Sequence, residues 1–233
     1  RKMLAALIVS SDFARYSYFV GGCVRDMLLN KHVSDIDITV ALPKGGIALA
    51  GFLTHKLGIK GYKINREFGT ASFKWHVLTL ETVMTRKEEY TPNSRFPSVQ
   101  YGTLQNDIDR RDFTMNALLM GINDGVLHDL CGRGRADLEK GIIRTIGEPD
   151  RVFCEDPLRI LRAIRFAANL EFEIEENTLC GMVSNAQKVS SLSDKKRLEE
   201  LNKIHSGKAL QHAVQLMTQF GLNQMNDLLQ NQR

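Results

Sequence analysis

At 233 residues, 43% hydrophobic and 25% charged, the chain can bury one substantial core or two smaller ones, and its composition excludes the disordered and membrane-embedded classes. The longest apolar runs fall far short of a spanning helix and the N-terminal stretch lacks a secretory cleavage pattern, so the sequence predicts a cytoplasmic protein with no membrane partner, an organelle remaining open. The net charge of +4 permits nucleic-acid binding without demanding it, and four scattered cysteines with no C-x-x-C exclude a disulfide framework or a zinc site.

Residues 4–14 read as a helical lead-in. Residues 18–40, YFVGGCVRDMLLNKHVSDIDITV, then read as a strand, a glycine turn, a short helix and a second strand. In that second strand Asp35, Asp37 and Thr39 share one exposed face, while Ile36, Ile38 and Val40 point into a core. Paired carboxylates on one face suit a hard divalent cation such as magnesium, which takes oxygen ligands together with substrate phosphates. Gly21 and Gly22 let backbone N–H groups approach an anion, and the helix beginning near Cys23 adds its positive end, with Arg25 in its first turn. The plainer alternatives are a turn without a ligand and a solvated strand face. The order hydrophobic-Gly-Gly, twelve residues, Asp-Ile-Asp-Ile resembles the signature of the DNA polymerase β-like nucleotidyltransferases, in which the glycines hold a triphosphate and the aspartates two magnesium ions.

Past Val40, residues 47–57 read as a buried helix stopped by Gly58, followed by strands at 60–65, 70–76 and 77–85. The last strand places Glu81 on the face of Thr79 and Val83, where it becomes a third carboxylate if the strand neighbours the Asp strand, or an exposed glutamate if it lies at an edge. Residues 86–106 are polar and aperiodic and read as a long mobile loop. The run from 107 to 122 places Phe113, Ala117 and Met120 at helical spacing, with Arg111, Asp112 and Asn116 available to a polar site. After a short strand and turns at 126–147, the composition becomes helical beyond Pro149, over 155–169, 175–188, 194–205 and 208–220. In EDPLRILRAIRFAANL, Leu158, Leu161, Ile164 and Ala168 form an apolar stripe. Arg159, Arg162 and Arg165 wind around the other side, and Asp156 is placed to cap the helix before Pro157. Leu210, Val214, Met217 and Phe220 line one side of an amphipathic segment, 208–229, whose exposed apolar stripe is expected to face an interface outside this chain.

GGCVRDMLL with DIDI, FGTASF at 68–73, ETVMTR at 81–86, RRDFTMNAL at 110–118 and EDPLRILRAIRFAANLEF at 155–172 stand in one order. This order resembles the class II tRNA nucleotidyltransferases, the CCA-adding enzymes, and their bacterial poly(A) polymerase relatives. The resemblance implies an α+β fold, with a nucleotidyltransferase head over 1–148 and a helical neck over 149–233 that leads into body and tail domains. It implies addition of C and A to the 3′ end of tRNA from CTP and ATP, with two Mg2+ ions. Asp35 and Asp37 would ligate the metals, with Glu81 as third carboxylate. Gly21, Gly22 and Arg25 would hold the triphosphate. Arg111, Asp112 and Asn116 would grip the ribose, and Asp156 and Arg159 would read the base, with Arg162 and Arg165 nearby. Asn30 replaces a glycine usual after Leu-Leu, and Lys196 in SDKKRLEEL stands where an acidic residue is usual. Poly(A) polymerase, a CC- or A-adding specialist and a non-catalytic RNA-binding module are the alternatives.

Overall fold

The structure, a computed structural model, describes residues 2–89, 98–204 and 208–223. The chain divides into two compact units. One runs to Arg111 and resumes over Met115–Arg135; the other takes Asp112–Thr114 and the chain from Ala136 onward.

The first unit is a mixed sheet with helices. α1 (Lys2–Val9) is followed by β1 (Ser17–Val20), α2 (Gly22–Leu28), β2 (Asp35–Val40), α3 (Gly45–Lys56), β3 (Lys63–Asn65), β4 (Thr70–Trp75) and β5 (Leu78–Met84). β6 (Arg86–Glu89), β7 (Ser98–Tyr101), α4 (Leu104–Asp109), β8 (Leu119–Gly121) and β9 (Leu127–His128) complete it. Among the described residues one sheet has the order β3-β4-β5-β2-β1-β8-β9, with β2 and β5 parallel. β2 is rich in β-branched residues, which pack well on a pleated surface, and it lies near the middle. Its alternation holds as far as Asp37 and then fails: Thr39 is as buried as Ile38 and Val40, because α4 brings the carboxylate of Asp107 to its hydroxyl. α3 lies close on the sheet because Gly46 has no side chain; a Cβ there would come within 2.7 Å of the Gly69 carbonyl oxygen.

The expected loop over 86–106 is in part a two-stranded ribbon of β6 and β7 followed by the start of α4; residues 90–97 lie outside the described residues. Apolar periodicity could not reveal it, because its strands pair through the backbone and carry polar residues, with Glu88 of β6 bound to Arg86 and to Arg110 beyond α4. α4 opens with a reciprocal cap between Thr103 and Asn106, then stops at Asp109. Phe113, Ala117 and Met120 therefore do not share a helix. Phe113 bridges Thr145 in the second unit, and Met120 belongs to β8.

The second unit contains α5 (Gly134–Lys140), β10 (Ile142–Ile143), α6 (Pro149–Glu155), α7 (Leu158–Leu170), β11 (Glu173–Ile174), α8 (Glu176–Asn185), α9 (Asp194–Leu201) and α10 (Lys208–Gln219). Together with the first unit it makes the α+β fold that the sequence predicts. α7 is its central rod, burying Ile160, Leu161, Ala163, Ile164, Phe166, Ala167 and Ala168. The predicted single start at residue 155 is two helices, because Asp156 is extended at φ −143° and separates α6 from α7. α10 lies against α7. Met217 and Phe220 are buried within the chain and Leu210 and Val214 half-buried, so this stripe is largely covered here; residues 224–229 lie outside the described residues.

Candidate active site

In the first unit the polar site is built at the ends of β1, β2 and β5. The parallel register sets Asp37 opposite Glu81 and Asp35 opposite Thr79. β5 is an interior strand between β4 and β2, so Glu81 is no edge residue; its side chain is exposed and on the same face as Asp37. Asp35 is exposed and Asp37 half-buried. Among the described residues no three His, Cys, Asp or Glu side chains cage a metal by themselves. The donors nevertheless fit magnesium, which is held by one or two carboxylates and completed by substrate phosphates.

Gly21 turns the chain from β1 into α2 with φ 75° and ψ −140°, a conformation that side chains rarely adopt. A Cβ at this position would lie 3.2 Å from Arg111 Nη1 and 3.6 Å from Asp37 Oδ2. The turn, the aspartate strand and the RRD segment thus converge where the missing side chain leaves room. Gly21→Ala is expected to lose about 1–2 kcal/mol of stability, the usual cost of a side chain at positive φ. Its affinity for nucleoside triphosphate should fall more than that of Gly58→Ala, a positive-φ glycine with open space around it. Melting curves and nucleotide titration measure both; equal affinities in the two variants would detach Gly21 from the site.

Arg25 is buried rather than presented to solvent. Its Nη1 donates to Asn116 Oδ1 at 2.7 Å, and its Nε donates to Asp26 Oδ1 at 2.8 Å. Gly22 lies against it, a Cβ there falling 3.5 Å from Arg25 Nη2. Cys23, at the start of α2, is buried against the Val20 and Asp37 carbonyls; burial, then the charge of Asp37, pushes its thiol up to about 11. At pH 8 only about one molecule in a thousand carries its thiolate, so Cys23 should resist alkylation while exposed Cys154 reacts. Peptide mapping after brief iodoacetamide treatment checks this, and fast labelling at Cys23 would contradict the packing.

Arg111 donates through Nη2 to Asp107 Oδ2 at 3.1 Å, and Arg110 grips the other oxygen at 2.6 Å. The reading of the sequence omitted Asp107. Its spacing of three and four residues before the two arginines was the available signal, since those spacings face each other on a helix.

The remaining predicted residues belong to the second unit. Asp112 is buried, accepting from its neighbour Phe113 N at 2.8 Å and from Arg162 Nε at 2.7 Å. The Asp112 charge beside Arg162 raises the already high arginine pKa. Asp156 accepts from the Leu158 N–H at 3.2 Å but is not the helix cap expected of it: Pro157 holds the N-cap position, without a side-chain bond, and α7 begins at Leu158. The arginines of α7 do not form a solvated face. Arg159 is 7% exposed, with Nη1 3.3 Å from the Val152 carbonyl and 3.7 Å from Glu155. Arg165 lies over the Phe166 ring at 3.9 Å and pairs with buried Glu200 of α9. Three acidic partners outside the apolar stripe draw these arginines inward, which periodicity alone does not show.

A Gly-Gly turn at a helix start beside a strand with two carboxylates, and a third carboxylate in register on the adjacent parallel strand, define a nucleotidyltransferase head. Residues 17–144 match the family described as the Poly A polymerase head domain. The CCA-adding enzyme of Limosilactobacillus fermentum is 39% identical over 203 residues, 86% of this chain and 48% of that protein. The Thermotoga maritima CCA-adding enzyme complexed with tRNA superposes with a TM-score of 0.79 at 29% identity, over 96% of this chain and 51% of the other. The Bacillus stearothermophilus CCA-adding enzyme in complex with CTP gives 0.78 at 28%, over 96% and 52%. The chain belongs to the family of class II tRNA nucleotidyltransferases and bacterial poly(A) polymerases. It spans about half the length of the curated relatives it matches. Among the described residues no helix is long and apolar enough to cross a membrane.

Proposed function

We propose that this chain is the head and neck of a template-independent RNA nucleotidyltransferase that adds C and A to the 3′ end of tRNA from CTP and ATP. The observation that carries the proposal is the register that sets Glu81 beside Asp37, with Asp35 on the same face and Gly21 against Asp37. Asp35 and Asp37 would hold two Mg2+ ions, which when bound neutralise phosphate charge and favour in-line displacement of pyrophosphate. Glu81 would accept a proton from the primer 3′-hydroxyl. The turn at Gly21 and Gly22 offers backbone N–H groups to the triphosphate, while Asn116 and Asp26 fix Arg25 behind it.

Base choice would fall to α7. A carboxylate at Asp156 accepts from the exocyclic amino group that C and A share, and Arg159 donates to ring acceptors, whereas uracil and guanine present the opposite pattern at that edge. Arg162 would act by holding Asp112, the candidate ribose contact, with Arg165 and Glu200 bracing the same helix. Proteins named CCA-adding enzymes among the relatives support this reading over poly(A) addition.

The test is primer extension by the intact protein on tRNAs ending before, within and after CCA, each with one NTP. Stepwise C, C, A addition that then stops is the expected result. Unlimited A addition would make it a poly(A) polymerase, C alone or A alone a specialist, and no extension with retained RNA binding a non-catalytic module.

A further inference from the structure

We propose that Asp107 is a positioning residue for the nucleotide site: its buried carboxylate aims the Arg111 guanidinium at the Gly21 turn, where Arg111 takes a phosphate of the incoming nucleoside triphosphate. The inference rests on the reading of the first unit given under Proposed function.

Asp107 is 0% exposed, so its charge must be met from within the protein. Its Oδ1 accepts from Arg110 Nε at 3.0 Å and Nη2 at 2.6 Å; its Oδ2 accepts from Arg111 Nη2 at 3.1 Å and lies 3.5 Å from the hydroxyl of Thr39. Burial alone would push the carboxyl up, but Arg111 and then Arg110 outweigh it and hold Asp107 below its ordinary value, as an anion. Glu88 meanwhile pairs with Arg86 and Arg110. Arg86, Arg110 and Arg111 thus meet Asp107 and Glu88, and Arg111 extends this cluster to the glycine turn, where Asp37 also stands.

The guanidinium is a rigid plane, so pinning Nη2 sets the direction of the other nitrogens. Nη1 is carried to Gly21, 3.2 Å from the point a Cβ would occupy, next to Asp37 Oδ2. Nε is buried and has no acceptor among the described residues. Asp107 is also tied to the carboxylate strand, since Thr39 stands two residues beyond Asp37 on the same face of β2. A single buried carboxylate therefore sets the separation between the metal strand and the phosphate-facing arginine.

The experiment titrates ATP and CTP, each with Mg2+, into the intact protein and its D107N, R111A, R111K and D107N/R111A variants. Single-nucleotide incorporation and melting curves are recorded in parallel. D107N should bind both nucleotides about tenfold more weakly, as expected for loss of a charge-assisted bond, and raise KM for nucleotide with little change in KM for the RNA primer. In the R111A background the same change should have no further effect. Unchanged nucleotide affinity in D107N, equal losses for primer and nucleotide, or additive effects in the double variant would each overturn the inference. If D107N does not fold, R111K decides, because lysine keeps the charge but cannot hold Asp107 and reach Gly21 together. A loss close to that of R111A supports the positioning role, and wild-type affinity in R111K refutes it. Failure of the unaltered protein to bind either nucleotide would instead remove the nucleotide reading itself, and the inference with it.

Discussion

Alanine at Asp35 or Asp37 is expected to lower nucleotide addition by at least three orders of magnitude while the protein stays folded. Metal coordination stabilises developing charge by several kcal/mol, and each 1.36 kcal/mol is a factor of ten in rate. The structural cost is small by comparison. Asp35 is exposed and takes one hydrogen bond from its neighbour Ser34 at 3.1 Å, so its removal should change stability by about 0.5 kcal/mol or less. Asp37 is half-buried and lies with Arg111 against Gly21, so its removal should lower the melting temperature slightly more than that of Asp35. Single-turnover extension of a tRNA primer by both variants, with circular dichroism melts, is the measurement. Substantial activity in either folded variant would sink the two-carboxylate assignment.

The second large effect is on base choice. Asp156→Ala loses the bond from the Leu158 N–H just ahead of α7, a local loss of about 1 kcal/mol of stability. If Asp156 also reads the base, its loss costs about 1–3 kcal/mol of discrimination, and UTP or GTP begins to compete. Arg159→Ala should shift selection in the same direction with a larger drop in stability. Its side chain is buried and holds the Val152 carbonyl and Glu155 at the end of α6. The two variants therefore separate local bonding from recognition: Asp156→Ala should be nearly as stable as the unaltered protein and markedly less selective. Steady-state incorporation of each of the four NTPs gives the comparison. An Asp156→Ala protein that melts earlier yet keeps strict C and A use would leave this residue its local bond alone.

The buried pair of Arg162 with Asp112 bears on the same question. The resemblance places Asp112 on the ribose, but its carboxylate already accepts from Phe113 N–H and from two nitrogens of Arg162.

What the sequence determined by itself was the first unit's chemistry. Strand alternation alone placed Asp35 and Asp37 on one face, and the glycine pair marked a turn that only glycine makes at φ 75°. These are local rules, in which neighbours along the chain decide the outcome. The partner of Glu81 was not local: β5 could have been an edge strand until the sheet order put it beside β2. The same holds wherever charge replaced apolar periodicity. Glu88 of β6 pairs with Arg86 and with Arg110 beyond α4, the α7 arginines turn inward to Asp112, Glu155 and Glu200, and Thr39 is buried under Asp107. Hydrophobic spacing reports which face of an element avoids water, and it carries no information about which distant carboxylate will meet a guanidinium. Only the tertiary structure brings such pairs within 4 Å, the distance at which a buried charge is compensated and an arginine can be aimed.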